Sequence, residues 1–489
     1  MPKIEFRKKL TDATTRHIAV TFNDVILLPS WTSIEPEEAD VSTNLTQNLK
    51  LRVPLISSPM DTVTETEMAI ALAREGGLGI IHRNTSIKEQ VEIAMKVKRS
   101  EANIIRDVIT VRENEKIRDA INIMKVKDVH GLPVITNENK LIGILTGRDV
   151  RFADENLEVK DLMTRDVITA TKDITPEEAK KILHQHRIEK LPVIEKNGSL
   201  FGLITTKDLM LKGKFPNASR DKEGRLLCGA AISPFDIERA KALEEFTDVL
   251  ITDVSHFHNR NCFDATRKLL KEVSVPIIVG NIGTYEAAVD CISKLDGIIG
   301  LRVGIGSGSI CSTSVVTRAG SPTLYATLMS ADAKEELGAN ISIIADGGIT
   351  NPGDIAVALT AGASAVMMGN VFAGCKESPG RLESFGGRFY KRYYGMGSHA
   401  ARQKRFALDR YSQPSKEIDE GVEGWVAYRG TVHDTVIKFI GGLKAAMGYI
   451  GAKTIKEMWF NGKFASVSAA GIKETHPHDV FLPGAESPK

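Results

Sequence analysis

The sequence predicts an α/β chain built on a (β/α)8 TIM barrel that is interrupted by an inserted tandem module. Three observations carry this. Eight short apolar runs recur down the chain, most neighbours stand 22 to 27 residues apart with helix-like stretches between them, and the spacing breaks only once. The runs are VPLISSPM (53–60), GGLGIIH (76–82), RLLCGAAI (225–232), DVLITDVS (248–255), VPIIVGNIG (275–283), GIIGLRVG (297–304), ISIIADGGI (341–349) and SAVMMGN (364–370). Continuous Val/Ile-rich runs that alternate with helices indicate parallel strands buried on both faces. Segments such as IKEQVEIAMKVKRS and PFDIERAKALEEF supply the helices. An open doubly wound sheet is the alternative, and the count of eight favours closure. In a barrel the chemistry belongs on the loops at the strand C-termini.

The break lies between Ile80 and Leu226, and an internal repeat fills it. DVITVRENEKIRDAINIMKVKDVHGLPVITNENKLIGILTGRDV (107–150) and DVITATKDITPEEAKKILHQHRIEKLPVIEKNGSLFGLITTKDL (166–209) align without a gap at an offset of 59. Asp107 matches Asp166, Pro133 matches Pro192, Gly143 matches Gly202, Thr146 matches Thr205 and Asp149 matches Asp208. Each copy reads β-α-β-β-α, and two such units stack to bury one another's apolar faces. The repeat resembles a cystathionine-β-synthase-type (CBS) pair, whose clefts commonly bind adenine or guanine nucleotides. That resemblance places phosphate and ribose contacts at Thr146, Asp149, Thr205 and Asp208. A packing module that has lost its ligand is the alternative. The expected organisation is therefore 1–95, first part of the barrel; 96–212, tandem CBS unit; and 213–489, the rest of the barrel, with a catalytic loop at 304–323 and a flap at 384–430.

Composition narrows the partners. With 42% apolar and 26% charged residues the chain reads as a globular protein with a sizeable core, and a net charge of +2 gives no field for a polyanion. Nucleic acid is not an expected partner. The first twenty residues contain no apolar h-region, and no run approaches the length of a membrane span, so a cytoplasmic protein without membrane association is expected. Five cysteines lie far apart with no CxxC pair, which argues against a disulfide framework or structural zinc and for a thiol acting alone.

The sixth run leads into LRVGIGSGSICSTSVVTRAGSP (301–322). Gly304, Gly306 and Gly308 allow tight turns and close approach to a ligand, Ser309 can donate to a phosphate oxygen, and successive N–H groups can form an anion nest. Cys311 ends this stretch on the catalytic edge. A thiol beside such dipoles is expected to ionise readily and act as a nucleophile, although a cysteine alone is more often a buried apolar residue. Asp346 follows the strand within the seventh run, where it can accept from ribose hydroxyls or cap a helix. His256 and His258, and the pair in HPHDV, read as loop polar groups rather than metal ligands because no third ligand is near.

GIGSGSICST is similar to the signature of the inosine monophosphate (IMP) dehydrogenase and guanosine monophosphate (GMP) reductase family. SSPMDTVTE (57–65), ADGGI (345–349), MMGN (367–370) and YYGMGS (393–398) follow in the family's order, and the likeness spans residues 20 to 480. It implies a barrel enzyme that oxidises IMP to xanthosine monophosphate with NAD through a covalent thioimidate on Cys311, with Thr313 beside the reacting carbon. Nucleotide binding is implied at Ser309, Asp346, Gly348, Gly369, Asn370 and Tyr394, with main-chain groups of Gly395, Met396 and Gly397 at the base. Cofactor contacts are implied at Asp253, Asn281, Gly304 and Gly306. There is no GxGxxG fingerprint after a strand, so the dinucleotide would lie in a barrel cleft. Phe257, in DVSHFH, departs from the small residue usual there. On the flap, Arg410 and Tyr411 match a water-activating dyad, although side-chain chemistry alone reads Arg410 as a surface charge. Glu420 matches a residue that contacts the base and assists hydrolysis, with Trp425 nearby where relatives carry arginine.

The carbonyls of Gly306, Gly308 and Cys311 match a potassium site, completed from a neighbouring subunit at Glu474, Thr475 and His476. A shared site implies a homotetramer, which CBS units can pair into octamers. Two rivals remain at this point. One is a GMP reductase working with NADPH, for which Ser314 and TRAGSPT leave room, although most reductases lack the insertion and the dyad. The other is a non-catalytic CBS nucleotide sensor.

Overall fold

Each of the eight apolar runs contains a strand in the computed structural model, which describes residues 18–46, 49–101, 104–106, 108–404, 406 and 418–478. The strands are β1 Leu55–Ser57, β2 Leu78–Ile81, β3 Cys228–Ile232, β4 Val249–Thr252, β5 Ile277–Ile282, β6 Ile298–Val303, β7 Ser342–Asp346 and β8 Ala365–Met368. They close into a parallel barrel in chain order, with β2 beside β3 and β8 beside β1. Closure follows from the pattern: β1, β2, β4, β5 and β8 are buried along their whole length, so both faces need cover. Ile56, Ile80, Ala231, Ile251, Ile278, Ile344 and Met367 meet in one cluster. Truncating Ile80 or Ile344 to alanine would cost about 2–5 kcal/mol.

The end at which β7 begins is plugged. Leu45, Leu49 and Leu51 join the same cluster, and the Ser342 hydroxyl, at the start of β7, donates to the Leu45 carbonyl at 2.6 Å. Outer helices are capped as their sequences direct. Asn259 Oδ1, for example, accepts from Cys262 N at 3.0 Å to open Arg260–Glu272, which buries Cys262, Phe263, Thr266 and Leu269 along one stripe. With one mouth filled, the strand C-termini are left for chemistry.

The chain divides into two units, Met1–Val97 with Asn217–Ser219 and Leu227–Lys489, and Lys98–Pro216 with Arg220–Leu226. The second unit holds two three-stranded sheets. Gly131–Ile135 pairs antiparallel with Leu141–Thr146 and parallel with Val111–Arg112, and Lys190–Ile194 repeats this with Leu200–Thr205 and Ala170–Thr171. Each copy has its own core, around Leu132 and Val134 in one and Leu191 and Val193 in the other. The hairpin turns join through Lys140 and Ser199.

The copies differ from the expected β-α-β-β-α order in one place. Thr206–Lys214 is helical after the second hairpin, whereas turns follow Thr146 in the first. TKDLMLKGK contains good helix formers; GRDVRFADE begins with glycine, carries two aspartates and places Phe152 at φ 68°, which ends any helical run.

Candidate active site

After β6 the chain leaves the barrel rim at Gly304 (φ 115°), where a β-carbon would fall 2.6 Å from the Asp346 carbonyl oxygen. It returns at Ser321, whose N–H and carbonyl pair with Ile305 at 2.8 and 2.9 Å. Inside this loop Cys311 N donates to the Gly308 carbonyl at 2.9 Å. Two remote segments complete the wall. Val422 N donates to the Ile310 carbonyl at 2.9 Å, Gly395 N to the Val422 carbonyl at 3.1 Å, and Glu420 N to the Gly397 carbonyl at 3.1 Å. Gly421 is where these chains touch: a β-carbon there would fall 3.0 Å from Ser398 N and 3.3 Å from the Gly395 Cα.

This main-chain pairing sets three functional side chains in line. The Cys311 thiol lies 3.3 Å from Thr313 Oγ1, and Thr313 Oγ1 donates to Glu420 Oε2 at 2.8 Å. Glu420 is 5% exposed, so its carboxyl group faces the site rather than bulk water. Cys228, Cys262, Cys291 and Cys375 are buried, while Cys311 is half-buried on the wall of a cavity of about 320 Å³. Burial pushes the Cys375 thiol up to about 11 and that of Cys291 up to about 12, which keeps both protonated.

Asp346 also lines this cavity and, among the described residues, is held through its Oδ2. That oxygen accepts from Arg302 Nε and Nη2 and from Asn281 Nδ2, each at 2.9 Å. Arg302 Nη1 continues to Asp253 Oδ1 at 2.8 Å. Arg302 was not among the expected site residues, although an arginine inside a buried strand run signals a paired charge. Asp253, expected at a cofactor, does not line the cavity. Its side chain is fully buried and pairs with Arg302, which in turn pairs with Asp346. Asn281 does line the cavity, and its Oδ1 has no hydrogen-bond partner among the described residues. Phe257 is fully buried against Phe263, 5.6 Å between ring centroids, so its bulk turns away from the cavity, which Ser255 lines instead.

Asn370 Nδ2 donates to Ser309 Oγ at 3.1 Å, and Gly347, Gly348 and Gly369 line the same cavity. The tyrosine here is Tyr393, not Tyr394 as expected. Both lie on Arg388–Tyr394, where successive side chains face opposite sides. Tyr393 lines the cavity beside Ser309, while Tyr394 sends its hydroxyl to Asp61 Oδ2 at 3.0 Å. Gly304, Gly306, Gly308, Gly395, Met396 and Gly397 line the cavity, as do Ser58 and Met60, which sequence reasoning had quoted only as part of a motif.

Arg410, Tyr411 and Asp107 lie outside the described residues. Glu474 and Thr475 end the helix Ala469–Thr475, and His476 caps it with its ring on the Ile472 carbonyl at 2.7 Å. In the second unit a cavity of about 630 Å³ is lined by Thr146 and Asp149 together with Arg148, Arg151, Arg187 and Lys190. Thr205 and Asp208 bond to each other, and Asp208 Oδ1 accepts from Glu101 N at 3.3 Å. Burial holds the Asp208 carboxyl above its ordinary range despite these donors.

A closed parallel barrel with a half-buried thiol, a hydroxyl–carboxyl pair beside it and a glycine-lined pocket at the strand C-termini defines a class, the (β/α)8-barrel enzymes. The chain belongs to the IMP dehydrogenase / GMP reductase family, whose model matches residues 19–478. It is 55% identical to an inosine-5'-monophosphate dehydrogenase of Korarchaeum cryptofilum over 94% of this chain and 97% of that protein. The corresponding protein of Methanocaldococcus jannaschii is 47% identical over 98% of each. Among solved structures, a GMP reductase from Trypanosoma brucei in complex with guanosine 5'-monophosphate superposes with a TM-score of 0.85 at 37% identity, covering 96% of this chain and all of that one. No helix of the described residues is long and apolar enough to cross a membrane.

Proposed function

We propose that the chain oxidises IMP to xanthosine monophosphate with NAD. The observation that carries this is the line Cys311–Thr313–Glu420 on the wall of a cavity that a fixed carboxylate, Asp346, also lines. With one Asp346 oxygen engaged by Arg302 and Asn281, the other is left to accept from the ribose hydroxyls. Ser309, Asn370, Gly348, Gly369 and the Tyr393 hydroxyl receive the phosphate, and main-chain groups of Gly395, Met396 and Gly397 receive the base.

The Cys311 thiol adds across the C2=N3 bond of the purine, Sγ to C2 and the proton to N3, which makes C2 tetrahedral. NAD, held beside Asn281, Ser255 and Gly304, would supply the acceptor for the hydrogen and its electron pair that leave C2, while N3 gives up its proton and the C2=N3 bond reforms. The chain is left holding a thioimidate between Cys311 and the purine. Water then adds to C2 and the C–S bond breaks, returning the thiol. Thr313 can relay the water's proton to Glu420, with which it already shares a hydrogen bond. The dyad Arg410 and Tyr411 is proposed to orient that water. Arg410→Ala should then still give one rapid burst of NADH while steady turnover slows; loss of the burst in a stopped-flow trace would assign the residue to binding or redox chemistry instead.

The cavity's donors and acceptors fit a nicotinamide. Asn281 Oδ1 is a buried acceptor without a partner among the described residues, suited to a carboxamide N–H, and Ser255 and Gly304 flank it. Potassium is proposed at the carbonyls of Gly306, Gly308 and Cys311. One turn gives only part of a shell, and the last-turn carbonyls at Glu474, Thr475 and His476 lack following helical N–H groups, so they could complete it from another copy in a homotetramer.

GMP reduction stays as a second reading on a specific observation. The Trypanosoma reductase is covered along its full length by nearly all of this chain, so the inserted repeat does not separate the two activities. IMP with NAD, and GMP with NADPH, followed at the reduced-nicotinamide absorbance, decide between them. Turnover of GMP alone would overturn the proposal, and turnover of neither would favour a sensor. In the inserted unit, a purine nucleotide effector is proposed at Thr146 and Asp149, where arginines surround the cavity. Thr205 and Asp208 are the weaker position.

A further inference from the structure

The motif SSPMDTVTE contributes Ser58 and Met60 to the cavity, but Asp61 is turned away from it. Its side chain is fully buried. One oxygen, Oδ2, gathers the Tyr394 hydroxyl at 3.0 Å, Asn84 Nδ2 at 3.0 Å and the Lys404 ammonium at 2.9 Å. Asn84 Nδ2 also donates to the Ala401 carbonyl at 3.1 Å. Burial and the neighbouring Asp61 charge push the Tyr394 phenol well above its ordinary range, so it remains a donor.

These partners are not scattered. Tyr394 opens, and Ala401 and Lys404 close, a single segment that runs through Gly395, Met396 and Gly397 and the short helix His399–Gln403. That segment carries the main-chain groups assigned to the base. Two ends of an eleven-residue span, 394 to 404, are thus tied to one carboxylate on the loop after β1, next in sequence to a residue that lines the cavity.

We infer that Asp61 is the positioning residue for base recognition, a clamp that fixes both ends of residues 394–404 so that Gly395–Gly397 face the purine. The inference rests on the functional reading above and adds a residue to it. A carboxylate suits the task because a single oxygen can take three donors at once, and because removing it strands buried donors from two directions. Lys404 is half-exposed, so its share of the clamp is the smaller and is screened by salt.

The test is IMP binding to the full-length protein by titration calorimetry, alongside KM for IMP and for NAD. Asp61→Ala is expected to weaken IMP binding by about ten-fold or more, with KM for NAD little changed. Asp61→Asn, which keeps an acceptor but loses the charge, should fall between Asp61→Ala and the unmodified protein. Tyr394→Phe should weaken binding by itself, yet add almost nothing to Asp61→Ala, because both remove the same contact. A merely structural role would lower the melting temperature and the active fraction while leaving affinity in the folded fraction unchanged. IMP affinity in Asp61→Ala equal to that of the unmodified protein, or full additivity with Tyr394→Phe, would overturn the inference. Should Asp61→Ala not fold, unchanged affinity in both Tyr394→Phe and Lys404→Met would overturn it as well. An unmodified protein that binds neither IMP nor GMP would overturn the functional reading instead.

Discussion

In the barrel, Arg302 is 3% exposed and locked between Asp346 and Asp253; in the inserted unit, Arg148 is 80% exposed and reaches Glu189 only at 3.6 Å. Both cavities place arginines near carboxylates, and the difference lies in water. Buried charges must be paired, so the barrel's are committed to one another and hold Asp346 in one orientation before any ligand arrives. Exposed charges interact weakly and stay available to an incoming anion. The first arrangement suits chemistry, which depends on position, and the second suits reversible sensing.

The two copies of the repeat sharpen this further. At the offset of 59, Arg187 corresponds to Asp128, Arg151 to Met210 and Arg148 to Lys207. Arg187 and Asp128 share a left-handed backbone, with φ of 54° and 50°. Backbone geometry is shared at 128 and 187 while the charge there is reversed, and Arg151 gives way to the uncharged Met210, so two of the arginines at the Thr146 cavity have no basic counterpart in the other copy.

Four substitutions test the contrast, beginning with the largest effect. Cys311→Ala should remove turnover by at least about 10⁴-fold while IMP binding, read by calorimetry, persists; substantial remaining activity would exclude covalent catalysis. Arg302→Leu breaks a buried charge network, and a loss of about 3–5 kcal/mol is expected in denaturant unfolding together with weaker IMP binding. A near-neutral result would mean that the barrel's pairing is no tighter than the inserted unit's. Glu420→Gln should slow steady turnover by about 10²-fold or more and leave the NADH burst in place. Arg187→Asp, which copies the other cleft's charge, should weaken binding of GTP or ATP to the inserted unit by about ten-fold at low salt, less at high salt, with basal IMP turnover unchanged. Binding that ignores both the substitution and the salt would show that the cleft does not recognise anions through these arginines.

The barrel was legible because strands buried on both faces must be apolar throughout, and eight such runs leave little choice of fold. The repeat was legible because its copies still share glycines, prolines and Thr-x-x-Asp turns at one offset. Cys311, Thr313 and Glu420 were found through motifs, but nothing in the chain's order says that residues 310–312 pair with 420–422 and these with 395–397. Tyr393 and Tyr394 show the limit at single-residue scale, since adjacent residues on a strand face opposite ways and only the packed sheet tells which faces the cavity.

Sequence by itself therefore determined the eight barrel strands, the twofold repeat and the chemical groups on hand, which follow from local patterns of polarity and turn residues. The missing last helix of the first copy and the sheet of Leu382–Phe385, Arg388–Tyr394 and Glu423–Ala427 at the expected flap were not read from it. Tertiary structure decided which of those groups meet. Arg302 with Asp346, and Asp61 with Tyr394 and Lys404, are contacts across long stretches of chain, and they exist because burial forces each charge or donor to find a partner wherever the fold brings one within reach.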